Sequence, residues 1–182
     1  MIAIMPMPLV SYFATLPHGE RHLNPGAFLF HQGDAVTRLF LVVEGGVELV
    51  RHQQDGTTVI LQRAGEGAIA AEASVFSTAY HCDAVAIAPT RVVSAPMAEV
   101  RELFARSPEF AEAWARHLTT EVQRARLRSE ILTLRTVAER LDAWVAGQGQ
   151  DLPAKGEWKS LARQIGVSPE ALYRELARRR AS

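Results

Sequence analysis

SPEFAEAWARHLTTEVQRARLRSEILTL, residues 107–134, decides how the rest of the chain is read. Ser107 is a capping residue, and Pro108 falls in the first turn, where the N–H it lacks has no intrahelical acceptor. Glu109 and Glu112 place negative charge near the positive end of the helix dipole. No glycine or proline follows, so at about 1.5 Å per residue the helix spans roughly 40 Å. One face reads Ala111, Ala115, Leu118, Val122, Ala125, Ser129 and Leu132. Its steps alternate between four and three, the spacing of a heptad seam, and its small residues allow close approach of a partner helix. A second face carries Phe110, Trp114, His117, Leu127, Ile131 and Leu134. Two apolar faces on one long helix predict packing on its own domain together with pairing to a second copy, with Leu118, Val122, Ala125, Ser129 and Leu132 in the dimer interface.

Upstream, the pattern changes to short strands. Ala27–Phe30, Leu39–Val43, Val47–Arg51, Thr57–Gln62, Ala84–Ile87 and Arg91–Ser94 are apolar or β-branched runs. Turn residues at Asn24-Pro25-Gly26, Gly33-Asp34, Gly45-Gly46, Asp55-Gly56 and Gly65-Glu66-Gly67 separate them. Asp55-Gly56 between two strands predicts a hairpin with a type I′ turn. Many short strands at regular spacing argue a jelly-roll barrel or sandwich. Leu9–Thr15 is a helical lead-in, and Ala98–Ala105 a short helix before the long one. The fold class is therefore α+β.

Within this region stand Leu-x-x-Gly (Leu23–Gly26), Phe-x-x-Gly-Asp (Phe30–Asp34), Leu-Phe-Leu-Val (Leu39–Val42), Gly-x-Val-x-Leu in the 46–50 region, Asp55-Gly56 and Glu-x-x-x-Phe (Glu72–Phe76). This series resembles the cyclic-nucleotide-binding β-roll of the bacterial Crp/Fnr transcription regulators. In that family a long dimerisation helix and a helix-turn-helix follow, the order of elements seen here. The resemblance implies a sensor domain over 1–106, a dimerisation helix over 107–135 and a DNA-binding domain over 136–182.

After the long helix, Thr136 and Glu139 have the spacing of a capping box for a helix TVAERLDAWVAGQ. Gly147–Asp151 and Pro153 predict a mobile link. Trp158–Gln164 and Pro169–Arg180 then read as two helices joined by Ile165-Gly166-Val167-Ser168, with Gly166 supplying the tight turn and Leu161, Ile165, Val167, Leu172 and Leu176 the contacts. Ser168-Pro169-Glu170 resembles the start of a recognition helix. The resemblance assigns base contact to Glu170 and Arg174, four apart on one face. A carboxylate can accept from cytosine N4 and a guanidinium can fork onto guanine. An i,i+4 ion pair is the plainer role for the same two residues. Lys159, Ser168, Tyr173 and Arg178 are candidate phosphate contacts. Family members usually add a β-hairpin wing. The sequence ends at Ser182, which predicts a wingless domain with Arg178-Arg179-Arg180 at a free end.

The effector pocket departs from the family pattern. Nucleotide-binding members resemble Gly-Glu, a helical turn, then Arg-Ser/Thr-Ala, in which the Glu holds the ribose and the Arg and hydroxyl hold the phosphate. Glu72 is retained, but Ala71, Cys82 and Asp83 stand at the glycine, arginine and hydroxyl positions. A carboxylate facing a phosphate repels it, with no guanidinium in the cassette to offset that. His81 supplies charge only when protonated. The adenine-facing pair on the long helix falls near Ala125 and Arg126. No cyclic nucleotide is therefore expected. His81-Cys82 suggests haem only as a minor alternative, and a single Cys excludes a four-cysteine iron–sulfur cluster.

Composition agrees with this picture. Residues 151–182 carry 7 Lys+Arg against 4 Asp+Glu, and residues 1–150 carry 13 against 16. That asymmetry suits an anionic partner at the C-terminal end. The lone Cys82 excludes an intrachain disulfide and fits a reducing cytoplasm. No signal peptide or membrane span is expected. The expected partners are double-stranded DNA and a second copy, with RNA polymerase a further candidate. Two other classes compete. A cupin-like metalloenzyme needs clustered His and Glu ligands, which His18, His22, His31, His52, His81 and His117 do not provide by spacing, so no catalytic or metal-ligating residue is expected. The alternative to a DNA-binding regulator is an interaction module whose shortened DNA domain no longer binds DNA.

Overall fold

A computed structural model describes residues 9–148 and 152–180. Two compact units divide the chain, Met1–Leu118 and Thr119–Ser182. Of the link expected over Gly147–Asp151, Gly147 and Gln148 instead complete a helix that begins at Val137, and residues 149–151 lie outside the described residues.

The first unit is a β-roll. A short helix α1 (Leu9–Phe13) leads into eight strands: β1 (Gly19–Leu23), β2 (Phe28–Phe30), β3 (Arg38–Glu44), β4 (Gly46–His52), β5 (Thr58–Gly65), β6 (Ile69–Ala70), β7 (Asp83–Ala86) and β8 (Thr90–Pro96). They form two four-stranded antiparallel sheets, ordered β1-β8-β3-β6 and β2-β7-β4-β5. Leu39, Val42, Val47, Ala84 and Val92 fill the space between them, each fully buried. The six expected strands are present within a few residues. β1 and β6 were not expected. β1 (GERHL) is a polar edge strand with only Leu23 buried, and β6 is two residues long, so neither carries an apolar period.

The β4–β5 hairpin forms where Asp55-Gly56 predicts it, but not with a type I′ turn. Only Gly56 is left-handed, at φ +83°, and Asp55 is not. The Asp55 carboxylate instead accepts the Thr57 N–H at 2.9 Å, and Gln53 N–H bonds to Thr57 O at 2.8 Å. A side chain that satisfies a turn N–H removes the need for a second positive φ.

Two helices close the unit. In α2 (Met97–Arg106), Met97, Val100 and Leu103 are buried. α3 (Pro108–Thr133) begins as expected: Ser107 Oγ accepts the Phe110 N–H at 3.1 Å. Its first turns pack through Phe110 and Trp114, which meet Phe104 edge-on at 4.8 and 5.4 Å between ring centres. Tyr12 of α1 reaches the same cluster. Edge-to-face rings add about 0.5–1.5 kcal/mol per pair beyond their buried area.

The second unit takes the rest of α3 together with α4 (Val137–Gln148), α5 (Trp158–Gln164) and α6 (Pro169–Arg180). The α4 capping box is formed both ways: Glu139 N–H donates to Thr136 Oγ1 at 3.1 Å, and Thr136 N–H to Glu139 Oε2 at 2.9 Å. Ile131, Leu141, Trp144, Trp158, Leu161, Ile165, Leu172 and Leu176 make its core. Gly147 faces Leu127 so closely that a Cβ there would lie 2.2 Å from Leu127 Cδ2, so any larger residue requires the Leu127 side chain to shift.

Candidate nucleic-acid interface and ligand cassette

α5 and α6 are joined by the expected tight turn, with Gly166 at φ +66°. Leu161, Ile165 and Leu172 are fully buried between the helices. Ser168 caps α6, its Oγ accepting the Ala171 N–H at 3.2 Å. This leaves Glu170 and Arg174 side by side on an exposed face, and among the described residues neither enters an ion pair. Lys159 and Tyr173 are exposed as well, the Tyr173 ring 5.8 Å from that of Trp158.

The arginine run at the end of α6 is not free, contrary to the sequence expectation. Arg179 binds Asp142 of α4 at 2.6 Å, Glu175 at 2.6 Å and the Ala138 carbonyl at 3.1 Å. Arg180 lies over the Trp158 ring at 5.0 Å. Arg178 forks onto Glu175 at 2.8 and 2.9 Å. Hydrogen bonds from Arg178 and then Arg179 hold the Glu175 carboxyl down to about 2. An Arg178 contact to phosphate must therefore compete with Glu175, whereas Arg174 and Lys159 carry no such competitor.

The two faces of α3 differ in burial. Phe110, Trp114 and Ile131 are buried within their units, while Val122, Ala125, Ser129 and Leu132 are exposed. Leu118 is half-buried and packs on the core of the β-roll. Leu132 has a second neighbour: a Cβ on Gly166 would meet its Cδ2 at 2.5 Å, so the seam ends against the turn between α5 and α6.

In the β-roll, Ala71 opens a 3₁₀ turn over Glu72–Ser74. It is the only non-glycine residue with positive φ among the described residues, at φ 72°, which marks the glycine-like position of the cassette. Glu72 is buried, and Gln62 Nε2 donates to its Oε1 at 2.8 Å. Cys82 is buried too, and burial pushes its thiol up to about 11, so it is a neutral core side chain at pH 7. Asp83 is committed elsewhere. Its Oδ1 accepts the Gln32 N–H at 2.9 Å and lies 3.3 Å from His31 Nδ1, and its Oδ2 lies 3.6 Å from His52 Nε2. His81 is exposed, with Nδ1 3.5 Å from Ser74 Oγ.

Three contributors escape a reading of the sequence. Arg51 arrives from β4, and its Nη2 donates to the His81 carbonyl at 2.9 Å, which brings a guanidinium to the cassette from outside it. His31, just after β2, and His52, the last residue of β4, bracket Asp83. All three are separated from the cassette by roughly twenty residues or more, and only the sheet order β2-β7-β4 assembles them. Among the described residues no group of three or more His, Cys, Asp or Glu side chains could hold a metal. No described helix is long and apolar enough to cross a membrane.

Residues 20–107 match the family model of the cyclic nucleotide-binding domain. Over 131 residues the chain is 25% identical to a global nitrogen regulator of Synechococcus elongatus, covering 69% of this chain and 58% of that protein. A global nitrogen regulator of Nostoc is 25% identical over 118 residues, 62% of this chain and 52% of that protein. The chain thus spans little more than half the length of these relatives. Among solved structures, FixK2 from Bradyrhizobium japonicum superposes with a TM-score of 0.76 at 17% identity, over 90% of this chain and 84% of that one. The Thermus thermophilus catabolite activator protein gives 0.56 at 22% identity, over 97% and 84%.

Proposed function

We propose that this chain, whose residues 20–107 match the cyclic nucleotide-binding domain model and whose fold is that of the Crp/Fnr transcription regulators, is a homodimeric, sequence-specific DNA-binding regulator without catalytic activity. The observation that carries this is the first turn of α6. Ser168 satisfies its own helix end while Glu170 and Arg174, one turn apart, stay exposed. A helix start of this kind fits the major groove, where an arginine can fork onto guanine and a carboxylate can accept from cytosine. Lys159, Ser168 and Tyr173 flank it as phosphate contacts, with Arg178 reaching the backbone after releasing Glu175. Double-stranded DNA and a second copy are the partners, and RNA polymerase is the further one that a regulator of this kind would meet.

Selection of binding sites from a random duplex pool tests the proposal. The protein is expected to enrich one sequence with dyad symmetry, and a pool that stays random would overturn it. On the enriched site Arg174→Ala should lose roughly 1–3 kcal/mol and much less on random DNA. Lys159→Ala should weaken both alike and flatten the salt dependence. Equal losses on both DNAs for Arg174→Ala would make Arg174 a phosphate contact instead. The losses are read against the unsubstituted protein at one salt concentration, and the salt dependence from a separate series over several.

The cassette does not fit a cyclic nucleotide in the pose its family implies. A neutral Cys82 stands where a guanidinium is needed, Glu72 is already engaged by Gln62, and the Asp83 carboxylate adds negative charge. Haem is not favoured by a buried Cys82 next to an exposed His81. Calorimetry with cAMP or cGMP should show nothing tighter than about 100 μM, on the order of 5.5 kcal/mol. Low-micromolar binding that disappears in Arg51→Met would mean that β4 supplies the missing guanidinium.

A further inference from the structure

Arg140, on the first turn of α4, makes four hydrogen bonds to main-chain carbonyls. Nε donates to Leu134 O at 2.9 Å and Nη2 to Leu132 O at 3.2 Å. Nη1 donates to Ile165 O at 3.1 Å and to Gly166 O at 2.8 Å. The first pair of carbonyls ends α3, and the second pair ends α5 and begins the turn into α6. Helix C-termini leave such carbonyls without intrahelical partners and carry partial negative charge, so one planar cation answers both ends together. The two ends are also in direct contact: a Cβ on Gly166 would lie 2.5 Å from Leu132 Cδ2 and 3.2 Å from Arg140 Nη1.

We propose that Arg140 is a positioning residue of the DNA-reading head, clamping the turn before α6 to the end of the dimerisation helix so that the angle of the recognition helix follows the seam. Leu132 makes the link on the seam side, since it ends the exposed heptad face and touches the turn. The inference rests on the DNA-binding reading for its consequence but not for its geometry. Arg179 holds the far end of α6 to α4 through Asp142 and the Ala138 carbonyl. With Arg140 removed, α6 is still tied at its C-terminal end and swings at its N-terminal end, where Glu170 and Arg174 lie.

The test uses spin labels at Glu130→Cys on α3 and Glu170→Cys on the first turn of α6, both exposed, with the native Cys82 buried; DNA is titrated with unlabelled chains that keep Glu170. Labelled chains are diluted with unlabelled ones so that only the pair within one chain is read. The intact protein should give one narrow distance, and Arg140→Met a broadened one at unchanged helix content. Arg140→Lys keeps the charge but not the planar fork, and should broaden it too. On DNA, either variant should lower the ratio of affinities for the selected site over random duplex by about tenfold, one charge-assisted hydrogen bond's worth, without weakening random-duplex binding. A merely destabilising change would weaken both. If the distance stays narrow in the folded variants, the inference falls whatever the DNA result. If the intact protein enriches no sequence while the distance broadens as expected, the clamp stands and the DNA-reading proposal alone is lost.

Discussion

Val122→Glu with Ala125→Glu is expected to leave the protein monomeric at micromolar concentration. Both residues are exposed in the single chain and sit next to each other on the heptad face, Val122 at 48%. In a symmetric dimer that face meets its own copy, so the double variant places four carboxylates in one seam. An uncompensated buried charge costs several kcal/mol, and at about 1.4 kcal/mol per factor of ten the dissociation constant should rise at least a thousandfold. Leu118 is a poorer probe, because it also packs on the β-roll core and a glutamate there would damage the unit itself. Sedimentation velocity decides the matter, with Gln123→Glu as an off-seam control. A dimer mass that survives the double substitution would place the interface on another surface.

Gly45→Ala should destabilise the β-roll by on the order of 3 kcal/mol or more. Gly45 has φ +79°, and a Cβ there would stand 2.3 Å from the Pro89 carbonyl oxygen and 2.6 Å from Thr90 Oγ1. Thr90 is buried, and its hydroxyl accepts the Gly46 N–H at 3.1 Å while lying 3.0 Å from the Gly46 carbonyl and 2.8 Å from that of Ala88. An added methyl group must therefore push the β7–β8 turn off the β3–β4 turn. The left-handed backbone costs about 1–2 kcal/mol, and each buried hydrogen bond lost costs roughly another 1–3. Gly56→Ala separates these terms, since Gly56 has φ +83° and nothing within 4 Å of the added atom, so it should show the backbone cost alone. Urea unfolding of the two variants makes the comparison, and equal losses would mean that the turns yield.

The candidate site was legible in unequal parts. The α5–α6 pair was legible because its signals are local: Ser168 caps α6, Gly166 takes the positive φ, and the buried positions follow the helical period. The cassette was legible as a sequence of substitutions, but not as an environment. That Asp83 would be held by Gln32 and neighboured by His31 and His52, and that Arg51 would reach the His81 carbonyl, depends on strands adjacent in the sheet and distant along the chain. The arginines at the end of α6 looked free for the same reason, because Asp142 lies 37 residues from Arg179.

By itself the sequence determined the order and type of the main elements, the helix ends at Ser107 and Thr136, and the division of α3 into two faces. Each of these depends on residues within about a turn of one another, where capping geometry and side-chain periodicity act without the rest of the fold. Tertiary structure alone decided the turn conformation at Asp55, the polar edge strand β1, the partners of Asp83 and the four carbonyls that Arg140 holds. These depend on hydrogen bonds between groups far apart in sequence, or on side chains satisfying backbone groups that no local pattern announces. Arg140 shows the difference most plainly. Along the chain it is one more basic residue on an amphipathic helix, and only when α3 and α5 end beside it do their unpaired carbonyls give its guanidinium a task.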